Sequence, residues 1–196
     1  MGRSIFINLE EEIFKGNVLD VGFENYGIVY DLCKNSDENI SIEYVEGTGG
    51  GKNLKQEFYD NCVVLFSLKD IFTKRAKKKF IKNISNFIKD DGIVHIWDID
   101  KKYKSIFNSK IKIALPGKKI KELTIKDYNL FSDNSCQVIS KIIADYFNII
   151  DLKCSDNIYY IKAKKKGSKR DESAINSSKF KVHSQQSGSS IFKSFY

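Results

Sequence analysis

The run Cys62-Val63-Val64-Leu65-Phe66-Ser67-Leu68 is almost unbroken in its apolarity, and it constrains the fold more than any other stretch of the chain. A strand with apolar residues on both faces must be covered on both faces, as a central strand of a parallel sheet is. The flanking segments repeat that logic. Asn17-Val18-Leu19-Asp20-Val21-Gly22 is a second short apolar run, ending in glycine. Between residues 26 and 34, Ile28, Val29 and Leu32 recur at helical spacing; Asn35-Ser36-Asp37 stops the helix, and Ile40 to Val45 alternates as a strand. Beyond the central run, a helix is predicted from about Phe72 to Lys89. Its inner stripe is Phe80, Ile81, Ile84, Phe87 and Ile88, with Lys74, Arg75, Lys77, Lys78 and Lys82 mostly outside. Asp90-Asp91-Gly92 turns the chain into the strand Ile93 to Ile99. The order β-α-β-loop-β-α-β predicts an α/β fold with a Rossmann-like doubly wound sheet, mostly parallel.

The pattern then changes. Charged and apolar residues alternate on either side of Pro116-Gly117, which predicts a hairpin insertion over about residues 101–126. Asp133-Asn134-Ser135 is placed to cap a helix running to about Tyr146. Phe147 to Leu152 and Ile158 to Ala163 read as strands, and the short Ser155-Asp156-Asn157 link makes them an antiparallel C-terminal pair. The expected organisation is an N-terminal helix or strap at 1–15, a domain at 16–166, and a flexible tail rich in Ser and Lys at 167–196.

Several classes of function are disfavoured. The 196 residues contain four cysteines without a CxxC pair and only two histidines, so no metal site is expected and the thiols read as free in a reducing cytoplasm. No apolar run approaches the roughly 20 residues that span a bilayer, and no membrane partner is expected. The formal charge of +8 admits a nucleic-acid partner. However, its cations are nearly all lysine, and arginine is the residue suited to bidentate phosphate and guanine contacts. Residues 47–53, with Gly47, Gly49, Gly50 and Gly51 ahead of Lys52, do not match GxxxxGK[ST], because Glu46 and Asn53 occupy the outer positions. They read as a connecting loop or a flap over a ligand.

Three stretches together resemble the class I S-adenosylmethionine-dependent methyltransferases. Val18-Leu19-Asp20-Val21-Gly22 is similar to the start of that family's glycine-rich first motif. Glu43 lies where the family keeps an acidic residue for the ribose, and Tyr59 to Ile71 resembles its fourth-strand motif. The likeness spans roughly residues 15–165, with the third-strand region shortened or missing between 46 and 61. It implies S-adenosylmethionine as cofactor and S-adenosylhomocysteine as product. Gly22 would make the close turn, Asp20 would support the loop and Glu43 would hold the ribose hydroxyls. Phe23, Glu24 and Asn25 would lie by the amino-acid end, with Ser67, Leu68 and Lys69 facing the transferred methyl. The chain departs from the family's D-x-G-x-G-x-G at Glu24 and Tyr26, with Gly27 one place late.

Catalytic candidates are Ser67, Lys69 and Asp98, the last at a strand end where open α/β sheets bind ligands. His95 and Trp97 read as core residues, Trp97 alternatively as a cofactor wall. Neither an NPPY-like tetrapeptide nor a Pro-Cys pair is present, which moves the expected acceptor from nucleic acid towards a small molecule. Two alternatives remain: a non-catalytic methyltransferase-like binding or scaffold protein, and an RNA-directed methyltransferase. Oligomeric state is not legible.

Overall fold

The computed structural model describes residues 4–34, 40–47 and 54–167. Residues 1–166 form one compact unit; the expected tail, and the flap beyond Gly47, lie outside the described residues. The first unit is built on a six-stranded sheet. Its strands are β2 (Asn17–Gly22), β3 (Ser41–Glu46), β4 (Tyr59–Leu65), β5 (Ile88–Ile99), β8 (Phe147–Ser155) and β9 (Ile158–Lys165), in the spatial order β3-β2-β4-β5-β9-β8. The first four run parallel, and β9 and β8 complete the sheet antiparallel. This is the doubly wound, mostly parallel sheet predicted, with the antiparallel pair at its C-terminal side. Among the described residues no strand lies beyond β3, consistent with a missing third-strand region.

Two apolar layers clasp the sheet. One face packs on α2 (Lys74–Phe87) and α3 (Cys136–Ile143), through Phe80, Ile81, Ile84, Ile139 and Ile143 against Leu19, Cys62, Val94 and Ile161. Each such side chain contributes on the order of 2 kcal/mol by leaving water, which is what fixes the helix faces despite so many lysines. The other face packs on α1 (Ile28–Lys34) and on a second, three-stranded sheet. That sheet has the order β1-β6-β7, from β1 (Ser4–Asn8), β6 (Phe107–Leu115) and β7 (Lys119–Asp127).

The predicted hairpin is present as β6–β7, paired from Phe107↔Asp127 to Leu115↔Lys119. The N-terminal segment differs from expectation. It is neither helix nor loose strap: Ser4–Asn8 pairs parallel with β6, Ser4↔Lys110 through Asn8↔Ala114. Its signal was masked because only Ile5 of the strand is buried, while the partner lies a hundred residues downstream. Three further boundaries move. The central strand stops at Leu65, and Leu68–Asp70 is a 3-10 turn. α2 starts at Lys74, after Thr73 caps it by accepting the Ala76 N–H at 3.1 Å. The turn before β5 is an irregular stretch of the strand itself: the register on β4 slips between Ile88 and Ile93, and Asp91 takes φ 68°.

Lys77, placed outside by periodicity, is fully buried. Its ammonium donates to the Asp133 carbonyl at 2.9 Å and to Asn134 Oδ1 at 2.7 Å. Burying an ion costs several kcal/mol, so such a position is tenable only with partners of this kind. Lys101 is a second case: its ammonium meets the carbonyls of Asn129 and Ser132 and pairs with Asp127 at 3.3 Å.

Candidate functional site

The carboxyl ends of β2, β3, β4 and β5 converge on a single edge of the sheet, where the register sets Gly22 opposite Glu46. Gly22 closes β2, and its carbonyl accepts the Gly47 N–H at 2.8 Å and the Tyr44 hydroxyl at 3.2 Å. A side chain could not be added there freely: a Cβ would stand 3.1 Å from Ser67 Oγ and 3.3 Å from the Glu24 carbonyl. Glycine therefore permits the close approach of two loops distant in sequence.

Ser67 reaches this point through a strained turn. Phe66 adopts φ 51°, a left-handed conformation that costs a bulky residue roughly 1–2 kcal/mol. The turn is held by the Phe66 N–H on the Trp97 carbonyl at 2.8 Å. Ser67 is buried, and its hydroxyl donates to the Leu65 carbonyl at 3.0 Å. Leu68 and Lys69 follow, their amides held by Asp98 Oδ2 at 2.7 and 3.4 Å. Asp98 Oδ1 accepts the Ile99 N–H at 2.7 Å and Asn134 Nδ2 at 3.0 Å. With both oxygens occupied and no exposure, Asp98 is built to fix this loop rather than to take a proton from a ligand. Burial raises its carboxyl to about 6 against those amides and the Lys77 charge. Asp100, its neighbour in sequence, accepts the Cys136 N–H at 3.0 Å at the start of α3.

The turn after β2 departs from the glycine-rich pattern at Glu24 and Tyr26, and the structure gives both residues specific contacts. Tyr26 bonds the Glu24 side chain; burial, that contact, and the charges of Asp70 and Asp98 drive its phenol far up. Asn25 Oδ1 accepts the Gly27 N–H at 2.9 Å. Gly27 takes φ +62°, so the left-handed residue leading into α1 is this late glycine. Phe23 packs against the α2–α3 core, next to Gly47. Asp20 lies within β2, and burial pushes its carboxyl up to about 7.

Glu43 is not at the strand end. It is mid-strand, opposite Leu19, and its carboxylate accepts the Tyr59 hydroxyl. The acidic residue that ends β3 beside Gly22 is Glu46, one residue beyond the Ile40–Val45 alternation, where the sequence reading stopped. Lys69 turns its ammonium to Asp70, at 2.7 and 2.8 Å. The edge thus brings together Asp20, Gly22, Phe23, Glu24, Asn25, Ser67, Leu68, Lys69 and Asp98, and leaves Glu43 apart.

Sequence reasoning missed the hairpin's part in this site. Lys121 donates to the Tyr26 carbonyl at 2.8 Å and pairs with Asp31 at 2.7 Å, while Lys119 meets the other Asp31 oxygen at 2.8 Å. The lysines on alternate positions of β7 were the available signal. His95 and Trp97 are core residues: His95 lies between the Tyr160 hydroxyl at 3.1 Å and Asn61 at 3.3 Å, and Trp97 stacks on Tyr160 at 4.4 Å. Among the described residues no cluster of His, Cys, Asp and Glu is arranged for a metal, and no helix is long and apolar enough to cross a membrane.

The mostly parallel sheet with its antiparallel pair gives the chain a Rossmann-like fold similar to that of class I S-adenosylmethionine-dependent methyltransferases. The chain is similar to a S-adenosylmethionine-dependent methyltransferase from Clostridium acetobutylicum, with 12% identity and TM-score 0.51 over 78% of this chain and 85% of that one. It is also similar to a SAM-dependent methyltransferase from Aquifex aeolicus, with 12% identity and TM-score 0.51 over 76% and 82%. The cyclase SpnF has the same fold, with 10% identity and TM-score 0.53 over 78% and 75%. At these identities the likeness is one of fold. No family model and no curated protein matches the sequence.

Proposed function

We propose that the protein binds S-adenosylmethionine at the Gly22 edge and transfers its methyl group to a small-molecule acceptor. One observation carries the reading: in a chain of formal charge +8, the carboxylates of Glu24 and Glu46 flank Gly22 at the carboxyl end of the parallel strands. A cofactor with a sulfonium and an ammonium group is complementary to such an acidic edge. The residues fit it in detail. Gly22 leaves the backbone open to close approach, and Glu46, opposite it, is placed for the ribose hydroxyls in the role first expected of Glu43. Glu24 is set for the cofactor's ammonium, beside Phe23 and Asn25. Ser67, Leu68 and Lys69 form the wall nearest the reacting end, and Asp20 stands beneath the turn.

The bound cofactor supplies an already activated methyl group, so the protein's part is alignment of the acceptor and exclusion of water. Asp98 and Asn134 hold the Leu68–Lys69 turn rigid for that purpose. Among the candidates, Ser67 and Lys69 remain the groups able to contact the acceptor; Asp98 is a positioning residue.

A second reading, a non-catalytic binding protein of the same fold, is favoured by the Tyr26–Glu24 contact, which engages the carboxylate that would otherwise meet the cofactor. Calorimetry with S-adenosylmethionine and S-adenosylhomocysteine separates the two. We expect binding that Glu46→Gln weakens about tenfold, or about 1.4 kcal/mol, and that Glu43→Gln leaves unchanged. Absence of binding at millimolar ligand sinks the cofactor reading. The RNA-directed alternative requires affinity for RNA that falls steeply with salt, and the acidic edge speaks against it.

A further inference from the structure

Four strands are edges of the two sheets, and they are not equally defended. β1 is only five residues long. β3 carries Glu43 and Glu46, and β7 carries Lys119, Lys121, Glu122 and Lys126. Charges and short length are the usual means by which an edge avoids pairing with another chain. β8 differs. It is a nine-residue edge without proline whose register on β9 shifts between Ile149 and Asp151, and it exposes Ile149, Ile150 and Leu152 at 36, 55 and 46%.

The charges on β8 also have a particular arrangement. Asp151 and Lys153 flank Leu152, and they point to the same face, where the two are 3.0 Å apart along the strand. In an antiparallel pair of identical strands centred on Leu152, Asp151 of one copy stands opposite Lys153 of the other, twice. Leu152 then meets Leu152, within the Asp151–Ser155 stretch that lies beyond the register shift. Directly opposed unlike charges and apolar pairs are the units that stabilise antiparallel pairing, and a twofold axis makes one self-complementary strand sufficient for both partners.

We propose that the protein forms a twofold dimer through antiparallel β8–β8 pairing centred on Leu152, joining the two six-stranded sheets into one. The outward-facing backbone groups of β8, which meet no further strand among the described residues, are paired in the dimer. The proposal stands independently of what the Gly22 edge binds.

Sedimentation of the full chain over a dilution series tests it. The expected result is a concentration-dependent monomer–dimer equilibrium. Asp151→Lys or Lys153→Asp sets like charges opposite one another at two symmetric positions and shifts that equilibrium towards monomer by about tenfold or more. The double exchange, Asp151→Lys with Lys153→Asp, restores the pairing and the dimer. Amide exchange on the unaltered chain gives a second readout: the outward N–H groups of β8 slow as the protein is concentrated. A wild-type monomer at every concentration overturns the proposal, and so does a dimer indifferent to the single reversals. Outward β8 amides whose exchange ignores concentration have the same consequence.

Discussion

Gly22 is a residue whose absent side chain matters more than most side chains present. The space a Cβ would enter is already bounded by Ser67 Oγ at 3.1 Å and the Glu24 carbonyl at 3.3 Å, close enough that a neighbour must yield by a few tenths of an ångström. Ser67 is fixed by its own hydrogen bond and by the strained turn at Phe66, so it yields poorly. Gly22→Ala is therefore expected to cost about 1–2 kcal/mol in urea unfolding, in the range of mild overpacking. Because the same methyl group stands in the approach to the proposed cofactor, affinity measured by calorimetry should fall by about tenfold or more. Equal affinity for both proteins would remove Gly22 from the site.

Among elements, the loop after β4, the end of β5 and the starts of α2 and α3 meet in one polar knot, and Asn134 is its centre. Its amide nitrogen donates to Asp98 and to the Ile99 carbonyl at 2.9 Å, and its oxygen receives the buried Lys77 ammonium. Asn134→Ala would leave a carboxylate and an ammonium short of a partner at once, so a loss of about 3 kcal/mol is expected in denaturant unfolding. An effect below about 1 kcal/mol would mean that the knot relaxes freely. The elements themselves were legible in proportion to how local their cause is. The buried run at 62–65, the amphipathic stripe of α2 and the alternation about Pro116-Gly117 each carry their own period. β1 does not: its pairing with β6 joins segments about a hundred residues apart, and only its partner makes it a strand. Lys77 misled for the same reason, since its helical position is polar by composition and its burial is decided by Asn134, on another element. At the site, Gly22, Ser67 and Asp98 could be read from strand ends, whereas the choice between Glu43 and Glu46 depended on where β3 stops. The Lys121–Tyr26 bond joins two elements with no shared local signal.

For the molecule as a whole, the buried ionisable groups set the pH at which the fold is most secure. Asp20 and Asp98 are raised from 3.8 to about 7 and about 6 by burial. Each binds a proton more tightly when folded, so the stability each contributes is full below about pH 4 and lost as pH rises through its folded value. His95 works the other way. Burial, with the Lys162 charge, lowers it from 6.5 to about 3, so its contribution is present above 6.5 and lost on acidification. Between pH 4 and 6 two groups oppose one, and stability falls as pH rises; above 6.5 Asp20 alone continues the decline to about 7. Further up, burial and the Asp20 charge raise Cys33 to about 11. Its folded thiol keeps a proton that the unfolded chain releases, which again lowers stability as pH rises through the alkaline range. Lys77, lowered to about 8 by burial, is the group that resists this trend. Against the opposing cost of burial, lysine pairing and hydrogen bonds hold Asp31, Asp60 and Asp133 below 3.8, so their support is present above 3.8 and is lost as pH falls through their lowered folded values. Thermal unfolding should therefore show its highest midpoint between pH 4 and 6, not at neutrality. Asp20→Asn removes the group with the highest raised carboxyl value, so it should lift the midpoint at pH 7.5 and leave it nearly unchanged at pH 4. A wild-type maximum at pH 7 to 8, with no gain from Asp20→Asn there, would show that Asp20 is hydrated in the folded protein and ionises as an ordinary carboxylate.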